Sequence, residues 1–182
     1  VGILDDFENR MTLDFKEEGD VIVLIGAQQN DIGSSEYIHK IKNIEYSAAP
    51  HFDIDEEYTM QQFVSSIIKE KLIVSAHDIS EGGLIVTLLE KGFNRDLGFD
   101  VNADTAGFRK DAYWFGEAQS RVVVTVKKSQ ISNLKSQISK AGIAYTELGT
   151  VTADAIKVNG ENWGSISDWK EKYDTAIEKL LS

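Results

Sequence analysis

One stretch of the sequence combines glycines and polar side chains at a spacing that could bind an anion. Val74-Ser-Ala-His77-Asp78-Ile79-Ser80-Glu81-Gly82-Gly83-Leu84 reads as a strand, a glycine-bearing loop and the start of a helix. Adjacent glycines let backbone amides approach a ligand, and a helix N-terminus adds partial positive charge. Ser80, Gly82 and Gly83 are therefore candidate ligand contacts. A structural reading competes with this. Asp78 followed three residues later by Glu81 is a capping-box variant, in which case the glycines serve close helix–sheet packing. Two carboxylates also repel a phosphate unless a cation intervenes. Both readings stay open from the residues alone.

A second segment, Trp114-Phe-Gly-Glu117-Ala-Gln119-Ser-Arg121, stands at the entrance to a β-branched run. Glu117 and Gln119 suit a small polar ligand, while Glu117 with Arg121 equally suits an ion pair that holds loops in place. Arg121 is expected to pair with Glu117 or with a carboxylate of the Asp78–Glu81 loop, tying the two loops together. The third segment, Gly33-Ser34-Ser35-Glu36-Tyr37, reads as serine N-capping of a short helix.

Much chemistry is excluded. The sequence has no cysteine, hence no disulfide, thiolate metal site or cysteine nucleophile. His39, His51 and His77 are dispersed without ligand spacing, and His77 is expected to make a core hydrogen bond. No glycine–lysine phosphate loop and no serine elbow occur. No catalytic and no metal-ligating residue is therefore assigned in this chain. A net charge of −11 with scattered lysines and arginines argues against nucleic acid and against an anionic membrane surface. The longest apolar run, Val21 to Ala27, is far short of the ~20 residues that span a bilayer.

Such residues need elements to hold them. Val21–Ile25, Leu72–Ala76, Gly98–Val101, Arg121–Lys127, Tyr145–Val151 and Ala155–Val158 read as strands, with Asn159-Gly160 marking a turn. Asp31–Ser35 is a polar loop before a short helix, Glu36–Ile41. Apolar residues at helical spacing predict helices over Thr59–Glu70, Gly83–Lys91 and Ser129–Lys140, the last stopped by Gly142. A closing helix over Ser167–Leu181 is expected, capped by Ser167, with Trp169, Tyr173, Ile177, Leu180 and Leu181 on its core face. With 182 residues, 42% hydrophobic and 27% charged, the chain is long enough for its own core. The fold class is α/β or α+β, a mixed β-sheet with packed helices.

Taken together, Ala76-His-Asp-Ile-Ser-Glu-Gly-Gly-Leu84, Gly33-Ser-Ser-Glu-Tyr37 and Phe115-Gly-Glu-Ala-Gln-Ser-Arg121 resemble the formylglycinamidine ribonucleotide synthase family. The likeness is to the last domain of its synthetase part, of the aminoimidazole-ribonucleotide-synthetase C-terminal type. Val1-Gly-Ile-Leu-Asp-Asp6 looks like the tail of a preceding ATP-binding domain, so residues 1–15 are expected to be that tail and 16–182 the C-terminal domain.

The resemblance implies a domain of an ATP-dependent ligase of purine biosynthesis, in the cytoplasm. That ligase turns a formamide oxygen into an amidine nitrogen, with ammonia supplied by a glutaminase domain or subunit. ATP and magnesium would be bound mainly in the preceding domains, as would the catalytic histidine, leaving this chain inactive alone. In the duplicated first half, the loop matching Glu117–Gln119 contacts the nucleotide substrate. Ser80, Gly82, Gly83, Glu117 and Gln119 are accordingly implied as working or vestigial ligand contacts, and Asp78, Glu81 and Arg121 as loop ties. The alternatives are a non-catalytic scaffold or ligand-binding module, or a domain of a related synthetase such as aminoimidazole ribonucleotide synthetase.

Overall fold

A computed structural model describes residues 4 and 6–181, so most of the Val1–Asp6 motif lies outside the described residues. The strongest sequence signal, Val21–Ile25, forms the central strand β1, and every residue in it is buried. Side chains alternate across a strand, and β1 feeds two cores. Ile22 and Leu24 enter one layer, while Val21, Val23 and Ile25 enter the other.

The remaining strands are β2 (Ser75–Asp78), β3 (Gly98–Val101), β4 (Val122–Val126), β5 (Tyr145–Thr152), β6 (Ala155–Val158) and β7 (Glu161–Ser165). They form one seven-stranded sheet in the order β2-β4-β1-β5-β3-β6-β7. Neighbours are antiparallel except β3 and β6, which are parallel. The helices are α1 (Ile54–Lys69), α2 (Gly83–Phe93), α3 (Lys110–Phe115), α4 (Ile131–Ala141), α5 (Ile166–Asp174) and α6 (Ala176–Leu181). One face of the sheet carries α2, α3 and α5 through Leu84, Leu88, Tyr113 and Ile166. The opposite face carries α1 and α4 through Met60, Phe63, Ile67, Leu134 and Ile138. This is the expected mixed sheet with packed helices. Among the described residues no helix is long and apolar enough to cross a membrane.

Several boundaries differ from expectation for identifiable reasons. Helix α1 begins at Ile54 because Asp53 caps it, accepting from the amides of Asp55 and Glu56 at 2.9 and 3.0 Å. That polar first turn carries no apolar periodicity, though its acids suit the helix dipole. Leu72 and Ile73 are buried in the α1–α4 core but precede the ladder, and β2 pairs from Ser75 opposite Thr125 to Asp78 opposite Val122. The Glu36–Ile41 helix is a single π-helical turn over Tyr37–Ile41.

The closing helix is corrected most. Its cap is Ser165, which accepts from the Asp168 amide at 3.1 Å, and Ser167 lies inside it. It breaks at Thr175 into α5 and α6. Trp169 packs on the core as expected, but Ile177, Leu180 and Leu181 are exposed at 73%, 85% and 83%. Strand β7 and helix α3 carry no sequence signal: one is a polar edge strand and the other only six residues long. Asn159 and Gly160, at φ 52° and 79°, make the β6–β7 turn.

Candidate functional site

The three motif segments, far apart in sequence, meet at one carboxylate. Strand β2 delivers the Asp78–Gly82 loop to the end of the sheet, where β4 begins beside it. The loop before β4 places Glu117 so that its Oε1 accepts two backbone amides, Gly82 at 2.9 Å and Glu36 at 2.9 Å. A third link joins Tyr37 and Phe115, whose rings stack at 4.8 Å and 13°. Ser35 shapes the Glu36 turn, its Oγ donating to the Ile32 carbonyl and accepting from the Ile38 amide.

Gly83 explains why this loop carries paired glycines. It has φ +71°, and a Cβ there would lie 2.7 Å from Phe115 Cα and backbone carbon. The start of α2 packs directly on the Phe115 backbone, which only glycine allows. The Gly83 amide itself donates to the Ser80 carbonyl at 3.0 Å. Both amides of the candidate cradle thus have partners within the chain.

Arg121 ties the site together, but not through the carboxylate that the sequence led us to expect. The side chain is 2% exposed. Its Nε donates to the Ala118 carbonyl at 3.0 Å, Nη2 to the Gly116 carbonyl at 2.8 Å, and Nη1 to Gln28 Oε1 at 2.6 Å. The guanidinium fork suits such divergent acceptors, and it winds the Gly116–Arg121 loop around one cation. Burial pushes Arg121 down to about 10, against the pull of Tyr113 and Asp31, so it stays charged at neutral pH.

The capping-box reading of Asp78 and Glu81 is not realised. Asp78 closes β2 and its carboxylate approaches His77 Nδ1 at 3.3 Å, while Gly82 is the N-cap and supplies no side-chain bond. Glu81 is exposed and makes no hydrogen bond among the described residues. His77 has the expected structural partner, with Nε2 2.9 Å from Glu90 Oε2 on α2.

A cavity of about 830 Å³ opens beside these loops. Ser80, Gln119 and Glu117 form its polar wall with Asp78, Glu81 and Arg121, while Met60, Val64 and Ile68 of α1 supply an apolar wall. Gly82 and Gly83 do not line it. Five carboxylates line it, from Asp6, Glu57, Asp78, Glu81 and Glu117, against Lys69 and the already engaged Arg121. Such a cavity suits hydrogen-bond donors and an apolar ring better than a bare phosphate.

Three contributors were not legible in the sequence. Gln28, 93 positions from Arg121, also donates to the Tyr113 carbonyl at 3.0 Å. Glu57 on α1 accepts from Ser120 Oγ at 2.8 Å, and the Glu36 amide supplies half of the Glu117 contact. Gln28 and Glu57 carry no local signal, and Glu36, though inside the Gly33–Tyr37 segment, gives no hint of its partner, because long-range folding alone brings each to the loop.

The likenesses to known proteins agree with this fold. The chain is 34% identical over 175 residues to phosphoribosylformylglycinamidine synthase subunit PurL of Azorhizobium caulinodans, matching 96% of this chain and 24% of that protein. It is 35% identical over 185 residues to the PurL subunit of Alkaliphilus metalliredigens, matching 100% of this chain and 25% of that protein. The chain therefore spans about a quarter of the length of these relatives. In fold it is similar to Thermotoga maritima PurL solved in complex with FGAR, with a TM-score of 0.75 at 16% identity, over 90% of this chain and 30% of that one. Residues 17–160 match the family described as AIR synthase related protein, C-terminal domain, and the chain belongs to that family.

Proposed function

We propose that this chain is the C-terminal domain of the synthetase part of a phosphoribosylformylglycinamidine synthase. That enzyme is an ATP-dependent ligase converting formylglycinamide ribonucleotide to formylglycinamidine ribonucleotide with glutamine-derived ammonia, in cytoplasmic purine biosynthesis. The observation that carries the reading is the convergence of the three motif segments on Glu117 at the rim of one cavity. The PurL names of the relatives support it. So do solved neighbours bound to FGAR and to ATP.

The chain's own residues do not fit a magnesium triphosphate. The Gly82 and Gly83 amides already have partners, and among the described residues no three acidic or histidine side chains converge as a metal requires. ATP and magnesium therefore belong to preceding domains in this reading, with no catalytic residue in this chain. Residues 1–15 are the tail of such a domain, and their last residues are anchored here, with Phe15 buried in the core. The cavity wall of Ser80, Gln119 and Glu117 is then a ligand-facing surface, in use or vestigial.

A scaffold role is compatible with this. Tyr46 and Phe52, before α1, and Ile54 and Tyr58, in its first turns, are more than half exposed. Such apolar groups suit docking on another domain of the same chain. The glutaminase that supplies ammonia is assigned as a further partner, whether fused or separate, in line with the Thermotoga maritima PurLQS structure among the neighbours.

Complementation tests the reading. The full-length gene should restore growth without purines to a strain lacking this synthetase, and the same gene without residues 16–182 should not. Failure of the full-length gene would contradict the assignment.

A further inference from the structure

The start of α2 is a place where the chain could hold an external anion, but the chain's own carboxylate already occupies it. Glu117 Oε1 takes the amide of Gly82, the N-cap of this eleven-residue helix, and with the same oxygen takes the amide of Glu36. No side chain of α2's own cap does this. A carboxylate on two backbone amides at a helix N-terminus makes charge-assisted bonds and meets the positive end of the helix dipole. The carboxylate is itself held from behind: Gly116 and Ala118, on either side of it, are clamped by the Arg121 fork. The loop carrying Glu117 is thus fixed before it engages the other two.

We propose that Glu117 is a positioning residue, a built-in anion that locks the Glu36 turn and the Gly82 turn to the loop before β4 and takes the Gly82 amide at the α2 N-terminus in place of an external anion. This goes beyond the enzymatic assignment, since it concerns which group occupies the helix end whatever ligand the cavity takes. Two consequences follow. Removing the carboxylate frees two amides that are 46 positions apart in sequence, and it leaves a vacancy of carboxylate shape that small anions can enter. A side chain that merely packed against the loop would produce neither effect.

The test compares the full-length protein with its Glu117→Ala and Glu117→Gln variants. In Glu117→Ala the amides of Glu36 and Gly82 should both exchange with solvent roughly tenfold faster or more, while that of Leu88 in mid-α2 is unchanged. Formate or acetate, against chloride at equal ionic strength, should raise the melting temperature of Glu117→Ala and slow both amides again, with no such response in the parent protein. Glu117→Gln keeps an acceptor oxygen and should retain most of the protection. The proposal is overturned if only one amide is freed, if carboxylate anions act equally on the parent and Glu117→Ala, or if neither anion acts on the variant. Loss of the fold in Glu117→Ala without recovery in formate also overturns it. Whether the parent protein makes formylglycinamidine ribonucleotide affects none of these outcomes.

Discussion

The guanidinium of Arg121 meets the side-chain oxygen of Gln28 at 2.6 Å, joining the loop before β4 to the segment that leaves β1. With its two carbonyl contacts, this makes Arg121 a cation whose hydrogen bonds all go to neutral oxygens rather than to an acid. A lysine keeps the charge but loses the fork. Arg121→Lys should therefore cost about 2–3 kcal/mol in denaturant unfolding, the scale of leaving buried acceptors unpaired. Gln28→Ala should cost less, and the double variant less than the sum, because both remove one shared bond. Additive losses would show that the two side chains act separately.

Gly83 offers a sharper steric test. An alanine there must adopt φ +71° and also meet the Phe115 backbone at 2.7 Å, whereas Gly107, at φ +83°, has nothing within 4 Å of an added Cβ. Gly107→Ala should cost about 1 kcal/mol, the left-handed penalty alone. Gly83→Ala should cost at least about 2 kcal/mol more, since the backbone facing the new methyl cannot give way as a flexible side chain would. Equal losses in urea unfolding would mean that α2 does not pack on this loop as described.

Lys91 gives the stability a pH dependence. It is fully buried on α2, donating to the Leu13 carbonyl at 2.8 Å, Ser75 Oγ at 2.9 Å and the Val123 carbonyl at 3.3 Å. Burial, helped by repulsion from Lys16 and opposed by Asp14, pushes its ammonium from 10.5 down to about 7. Between these values the unfolded chain holds a proton that the folded one has released, so stability rises with pH across that window. The expected slope is roughly 1 kcal/mol per pH unit. Lys91→Met should flatten it. A slope unchanged by the substitution would place the titration elsewhere.

The sequence made the inner elements legible and the outer ones less so, for physical reasons. Strands β1, β3, β4 and β6 sit where β-branched or bounded apolar runs announce them, because burial imposes the pattern. Ile177, Leu180 and Leu181 show the converse: helical spacing reveals an apolar stripe but not whether anything covers it. At the site, the motif segments were recognisable as loops at the start of a helix or strand, and their meeting was not. The partner of Gly82 is 35 positions away and that of Arg121 is 93 away, so the Glu117 and Gln28 contacts belong to topology rather than to spacing. Arg121 was expected on an acid because its guanidinium is permanently charged, yet amide oxygens take its hydrogen bonds here.

The most direct test of the proposed function is ATP-dependent amidation of formylglycinamide ribonucleotide with ammonia as nitrogen donor. Product and phosphate release are followed for the full-length protein and for the 182-residue chain alone, both with magnesium. The account predicts turnover by the full-length protein and none above background by the isolated chain, whose sequence holds no triphosphate loop and whose described residues hold no converging metal-ligand set. No turnover by the full-length protein, or turnover by the isolated chain that survives repurification, would contradict it.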